Sequence, residues 1–131
     1  MLLDLSRFET KADVARSAPA RPLPAPRRLS TAERLLRALR DISGPLAEII
    51  SHREVPWASI TFSGERHMIA LRFAGSDAVS DGERFIAILP DHEFRLRGKL
   101  VADASVMRVD HELLPAPLME VECEILLLDE D

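Results

Sequence analysis

The sequence predicts an α+β fold: a two-layer α/β sandwich in which two helices cover one face of a mainly antiparallel four-stranded sheet. Two stretches carry apolar residues at helical spacing, and each is followed by two stretches in which apolar and polar residues alternate. Glycine and proline residues separate most of these stretches. The predicted element order is therefore α-β-β-α-β-β, and 131 residues suffice for one such domain.

The first helix is expected to begin after Ser30. Ser30 and Glu33 have the spacing of a capping box, in which each residue bonds the backbone N–H of the other. Apolar residues then recur at steps of three and four as far as Ile49. Gly44 and Pro45 interrupt this stripe, and proline lacks the N–H that a helix interior requires. We expect a kink or break there, with both halves facing the same core.

The first hairpin is predicted between residues 56 and 73. Apolar and polar residues alternate from Pro56 to Phe62, which is the pattern of a strand with one buried face. Residues 63–66, Ser-Gly-Glu-Arg, have the composition of a turn. Alternation resumes over residues 67–73, which we predict as the second strand.

The second helix is expected to begin at Ser76 or Ser80, because either serine can cap a helix. Ser80 and Glu83 also have capping-box spacing. Apolar residues continue at helical spacing as far as Leu89, and Pro90 then ends the helix.

A second hairpin follows this helix. A long strand is predicted over residues 94–111, bent or bulged near Gly98, and a turn over residues 114–117. The last strand has the clearest alternation in the chain, with Cys123 among the inward residues and three glutamates facing outward. A hairpin centred on Pro115 places Arg108 opposite Glu122.

The first 29 residues are expected to form a flexible N-terminal arm, which leaves residues 30–131 as the folded domain. Residues 14–29 contain four prolines and four arginines but no acidic residue, a composition typical of an extended linker. Residues 1–8 are rich in leucine, and Leu2, Leu5 and Phe8 can share one helical face. We interpret residues 1–8 as an apolar anchor that docks on a protein surface.

Charge is distributed unevenly along the chain. Residues 1–53 carry ten basic and six acidic side chains, whereas residues 54–131 carry seven basic and sixteen acidic ones. An acidic domain repels the phosphate backbone, so we expect no nucleic-acid partner. The apolar runs fall short of the about 18 residues that span a bilayer, so we expect no membrane partner either.

The single cysteine, together with the lack of a recognisable signal peptide, favours the cytoplasm. Arginine far outnumbers lysine, and alanine and proline are abundant, a composition typical of GC-rich bacterial genomes. Cys123 lies in an apolar, inward-facing pattern and is interpreted as a core residue.

We expect no metal, no cofactor and no catalytic residue. The tripeptide Asp-His-Glu occurs at 91–93 and 110–112, but the histidines lack the close pairing of common metal sites: His52, His67, His92 and His111. The glycines match no phosphate-binding motif.

Two functional hypotheses remain. The first is a non-enzymatic protein-interaction or regulatory module that forms a homo-oligomer, acting through the N-terminal arm or a dimer surface. The alternative is a small-molecule-binding domain or minor enzyme, with a pocket between the sheet and the helices. Its candidate residues are Trp57, His67, Asp103 and Met107. Asp103 is included because a charge in the middle of a strand can line a groove, although a solvent-facing position on an edge strand also accounts for it.

Overall fold

The computed structural model describes residues 28–130. It contains α1 (Thr31–Ser43), β1 (Glu48–Ala58), β2 (Ser63–Ala74), α2 (Ser76–Ile88), a 3-10 turn (Leu89–Asp91), β3 (Lys99–Glu112) and β4 (Leu118–Asp129). The predicted α+β fold and its element order are confirmed. The sheet order is β1-β2-β4-β3, and each pair of neighbours is antiparallel. The predictions for residues 1–27, including the anchor at 1–8, lie outside the described residues.

One face of the sheet packs against the helices, and we call it the inner face. Its centre is formed by β2 and β4, the two central strands, whose inward side chains are almost completely buried. These side chains form one cluster with buried residues of both described helices. The principal members are Leu35, Leu39, Ile69, Leu71, Phe73, Phe85, Val121, Cys123 and Ile125.

Helix α1 begins as predicted and ends earlier than its apolar stripe. The capping box is present, with the Ser30 hydroxyl accepting from the Glu33 N–H and the Glu33 carboxylate from the Ser30 N–H. The helix ends at Ser43 because Gly44 adopts a φ of +88°, which glycine tolerates best, and Pro45 follows. The expectation that a second half-helix faces the same core is wrong: Leu46 is 55% exposed.

The first hairpin is confirmed, but its turn lies earlier than predicted. Strand β1 starts at Glu48, and residues 59–62 form the connection. The Ser59 hydroxyl accepts from the N–H groups of Thr61 and Phe62, and the Ser59 N–H donates to the Phe62 carbonyl. Ile60 is fully exposed at this turn. Ile60 therefore fits the alternating pattern of a strand in the sequence, although the chain reverses direction at this residue.

Helix α2 begins at Ser76, with Gly75 as its N-cap. Ser80 therefore lies inside the helix, and its spacing to Glu83 is not a capping box. Gly82 allows α2 to approach the sheet closely, since a Cβ at this position would lie 2.8 Å from Cγ of Phe73. The helix ends at Ile88, just before the turn that contains Pro90.

The second hairpin has a shorter first strand than predicted. Gly98, with a φ of +77°, lies in the turn that precedes Lys99, so residues 94–98 are not part of β3. Bulges interrupt the register between Val101 and Asp103 and again after Val106. The alternation predicted for β4 is confirmed.

Neither of the two helices in the described part of the chain has the length and apolar character needed to cross a membrane.

Candidate interaction surface

The opposite face of the sheet carries no helix of the described chain, and we call it the outer face. Near the start of β1 and along the two central strands, this face carries pairs of opposite charge. Arg72 lies 2.9 Å from Glu120 and 3.8 Å from Glu48, and Arg66 lies 3.3 Å from Glu124. These side chains are partly exposed, so each pair contributes about 0.2–1 kcal/mol. The part of the outer face that carries these pairs is thus a charged surface rather than a second core.

The other end of the outer face is apolar. The strand register places Trp57 opposite Gly64, Gly64 opposite Leu128, and Leu128 opposite Leu100, so one row crosses all four strands. Phe62, Leu100 and Leu128 line a cavity of about 310 Å³ at this end. Leu100 and Phe62 are each about half exposed, at 51% and 52%. We call Trp57, Phe62, Leu100 and Leu128 the apolar end.

A shallow groove of about 350 Å³ crosses the middle of the outer face. Arg53, Met68, Met107 and Glu122 contribute to its walls. The Arg53 guanidinium makes one polar contact within residues 28–130, 3.8 Å from the Met68 sulfur. Glu122 forms no ion pair within the same range. The groove therefore has two unpaired charges of opposite sign and an apolar floor.

The last part of β3 is exposed along a free sheet edge. Residues 107–112 are all exposed, including Met107 and Val109 at 60% and 41%. Arg108 and Asp110 flank Val109, with Arg108 Nε 3.1 Å from Asp110 Oδ2. The predicted register of Arg108 opposite Glu122 is confirmed. This edge offers unpaired backbone groups and alternating charges.

Two histidines meet on the inner face. His52 on β1 and His67 on β2 come together because the register places His52 opposite Ile69, next to His67 on the same face. His52 Nε2 and His67 Nδ1 are 2.8 Å apart, so one ring donates a hydrogen bond to the other. His67 is completely buried, and His52 is half-buried.

The surroundings of His67 favour one arrangement of its proton. His67 Nε2 makes no hydrogen bond within residues 28–130, and Glu65 Oε1 lies 3.8 Å away. A proton on Nε2 faces this carboxylate favourably, whereas a lone pair there would be repelled. We therefore assign the proton to Nε2 and the acceptor role to Nδ1. Burial lowers the pKa of His67, although the charges of Glu54 and Glu65 oppose this effect.

A lysine joins the ends of β2, β3 and β4 beside the histidine pair. Lys99 Nζ lies 3.0 and 3.1 Å from the two carboxylate oxygens of Glu65 and also bonds Asp129. Ser63 donates a further bond of 3.0 Å to Asp129. Burial alone would lower the pKa of Lys99, but its bonds to both carboxylates outweigh burial and raise it. The hydrogen bonds from Lys99 and Ser63 lower the pKa of Asp129.

This polar cluster does not form a recognisable catalytic site. Within residues 28–130, no hydroxyl or thiol is hydrogen-bonded to either histidine ring. Cys123 is buried as predicted, and burial raises the pKa of its thiol to about 12, so it remains protonated and unreactive at neutral pH. The described residues also contain no group of three or more side chains suited to hold a metal ion.

The four candidates for a ligand pocket fall in different places. His67 lies in the packed inner layer, and Trp57 lies at the apolar end of the outer face. Asp103 is exposed on edge strand β3, where the Ser105 hydroxyl donates to it across 3.4 Å. Met107 lies beside a bulge and lines the groove on the outer face. The structure therefore does not bring these four residues together between sheet and helices.

The sequence patterns predict neither the contact of His52 with His67 nor that of Lys99 with Glu65. The contact of His52 depends on a register that begins at Glu48, whereas the predicted first strand begins eight residues later, at Pro56. The contact of Lys99 with Glu65 joins β3 to β2 across β4. The docking candidates Leu2, Leu5 and Phe8 lie outside the described residues. Comparison with known proteins gives no matching family model, no matching curated protein and no matching solved structure.

Proposed function

We propose that this chain is a non-enzymatic protein-interaction module that forms a homodimer through the free edge of β3. The observation that supports this proposal is the pattern at residues 108–110. Arg108 and Asp110 lie symmetrically about Val109, and all three are exposed at the sheet edge.

Antiparallel pairing of two β3 strands about Val109 sets each arginine opposite the aspartate of the other copy. The edge is therefore complementary to itself in charge, as a two-fold interface requires. Pairing also satisfies free backbone groups and covers the exposed side chains of Met107 and Val109. The bulges of β3 lie before this segment or at its start, so residues 108–112 present regular backbone to a partner strand.

The test measures the mass of the full-length chain by light scattering over a wide range of concentrations. We expect a dimer for the natural sequence and a monomer for Arg108→Asp, because this variant sets two pairs of aspartates opposite each other. The double variant Arg108→Asp/Asp110→Arg restores opposite charges across the interface and is expected to dimerise again.

Arg53→Asp is the matched control, since it reverses an exposed arginine on the other edge strand, β1. It should leave the dimer intact. A natural sequence that stays monomeric at every concentration contradicts the proposal, as does a dimer that Arg108→Asp leaves unchanged.

The alternative function is binding of a small molecule in the groove on the outer face. Its volume of about 350 Å³ lies within the range of ligand sites, and Arg53 suits an anionic, apolar ligand. Anilinonaphthalene sulfonate is a suitable fluorescent probe. Ala70→Phe fills the groove and should abolish probe binding, whereas Leu100→Asp, at the apolar end, should retain it. Binding that survives Ala70→Phe contradicts this alternative.

A further inference from the structure

The apolar end of the outer face needs a cover that the described residues do not supply. Leu100 and Phe62 are about half exposed, Leu128 is buried, and the three line a cavity of about 310 Å³. Monomeric proteins seldom leave such apolar surface in contact with water unless it binds something. A cavity of this size suits one or two large apolar side chains.

The described chain begins at the same end of the sheet. The Arg34 guanidinium donates to the Leu29 carbonyl across 3.4 Å and to the Arg97 carbonyl across 3.1 Å. Arg97 immediately precedes the turn at Gly98 that leads into β3, and the Gly98 carbonyl accepts from the Glu130 N–H. Leu29 is thus held, through Arg34, at the end of the sheet that carries Leu100 and Leu128.

The sequence before residue 28 has the length and composition to reach this surface. Residues 9–27 span about 60 Å when fully extended at about 3.3 Å per residue. A sheet and its packed layer are only about 10 Å apart, so this length exceeds the path around the sheet edge. Residues 1–8 contain Leu2, Leu5 and Phe8.

Charge favours the chain's own N-terminal segment over a second folded domain. Residues 14–27 carry three arginines and no acidic residue. Asp103, Asp129 and Glu130 border the apolar end; Lys99 pairs with Asp129, whereas Asp103 and Glu130 form no ion pair within residues 28–130. A second copy of the acidic domain would bring like charges together at this end, whereas the arginine-rich segment brings opposite ones.

We infer that Leu5 and Phe8 of the N-terminal segment dock on the apolar end of the same molecule. The tether keeps the segment at a high effective concentration, so docking does not require strong intrinsic affinity. The surface used is distinct from the residues at the β3 edge that carry the proposed dimer, and this inference does not depend on that dimer. Under this inference, residues 1–8 have a defined binding site on the folded domain.

The single tryptophan of the chain provides the test. Trp57 belongs to the apolar end and is half-buried, so its fluorescence reports whether this surface is covered. In the full-length protein, Leu5→Asp/Phe8→Asp should shift the emission of Trp57 to longer wavelength and increase its quenching by acrylamide. The matched control, Val14→Asp/Leu23→Asp, removes two apolar side chains and adds the same charge, and it should leave the emission unchanged.

A second variant tests the docking surface itself. Leu100→Asp should cause a shift in the same direction, and adding Leu5→Asp/Phe8→Asp to it should cause little further change because the contact is already lost. Circular dichroism checks that each variant retains its folded domain. The shift must also be independent of protein concentration, as docking within one molecule requires.

Three results overturn the inference. The first is an unchanged emission spectrum in Leu5→Asp/Phe8→Asp. The second is an equal shift in the Val14→Asp/Leu23→Asp control. The third is a shift that grows or vanishes with protein concentration, which would assign the surface to another copy. Because the dimer is measured by mass and docking by fluorescence, either proposal can fail without the other.

Discussion

His52 Nε2 lies 2.8 Å from His67 Nδ1, and the buried ring of His67 has Glu65 on its other side. The pair shares a hydrogen bond that requires at least one ring nitrogen to be unprotonated. Burial lowers the pKa of His67, so the folded protein keeps this ring neutral under conditions in which an exposed histidine takes up a proton. The stability of the fold is therefore linked to pH through this residue.

We predict that the free energy of unfolding falls as the pH drops below about 6.5. In this range the unfolded chain binds a proton at His67 that the folded chain does not, which favours unfolding. His67→Asn keeps a hydrogen-bond acceptor but does not titrate, so its stability should be lower overall and should change less between about pH 7.5 and pH 5.5.

Urea unfolding at several pH values measures this difference. His111→Asn, at an exposed position on β3, should retain the pH dependence of the natural sequence. Equal pH dependence in His67→Asn and the natural sequence would show that another group carries the linkage.

The neighbouring Lys99 is expected to matter more than a surface ion pair. Its side chain is 13% exposed, and Glu65, the more buried of its two partners, is 17% exposed. Lys99→Met leaves the carboxylate of Glu65 without its partner in a largely buried position, and we expect a loss of about 1–3 kcal/mol. The loss is measured by urea unfolding at neutral pH.

Arg84→Met provides the comparison. Arg84 pairs with Asp81 at 2.8 Å, but its side chain is 58% exposed, so removing it should cost no more than about 0.5 kcal/mol. Equal losses of stability in the two variants would show that the partial burial of Lys99 does not strengthen its ion pairs.

The Arg84–Asp81 pair lies within one helix, whereas the Lys99–Glu65 pair joins two strands that are distant in sequence. Sequence reasoning succeeds for contacts of the first kind. Contacts within one regular element or one symmetric hairpin follow from spacing. Ser30 and Glu33 are three residues apart in one helix turn, and Arg108 was predicted opposite Glu122 by counting from Pro115; both predictions are confirmed. Contacts between elements depend on the strand register, and an error in the predicted register shifts every residue pair along the two strands.

The first hairpin illustrates such an error. Leu46 and Ile49 continue the helical spacing of α1, so the sequence pattern extends the helix beyond Gly44. The positive φ of Gly44 ends the helix instead, and the following residues enter β1. Because the strand starts at Glu48, His52 comes to lie beside His67, a contact that no local pattern indicates.

Because α2 packs closely on the sheet, we predict that Gly82→Ala has an effect on stability opposite to the one that helix propensity indicates. Glycine to alanine in a helix interior ordinarily stabilises by about 1 kcal/mol. At Gly82 the added methyl group would lie 2.8 Å from Cγ and 2.9 Å from Cδ2 of Phe73, which is itself completely buried. We expect Gly82→Ala to destabilise by about 1–3 kcal/mol, because a packed core does not accommodate the extra volume.

Thermal unfolding followed by circular dichroism measures this effect. Ser80→Ala is the control, since Ser80 lies in the same helix and is exposed. It should keep or slightly raise the melting temperature. A melting temperature for Gly82→Ala at or above that of the natural sequence would show that α2 can move away from Phe73 without cost.

The capping box of α1 should contribute measurably because it satisfies two N–H groups that the helix itself leaves unpaired. The Ser30 hydroxyl lies 3.1 Å from the Glu33 nitrogen, and Ser30→Ala removes this acceptor. We expect a loss of about 1 kcal/mol, measured by urea unfolding. Ser76→Ala changes the first residue of α2, whose N-cap, Gly75, makes no side-chain capping bond in the described structure, and it should cost clearly less. Equal losses in the two variants would mean that the loss in Ser30→Ala does not come from the cap.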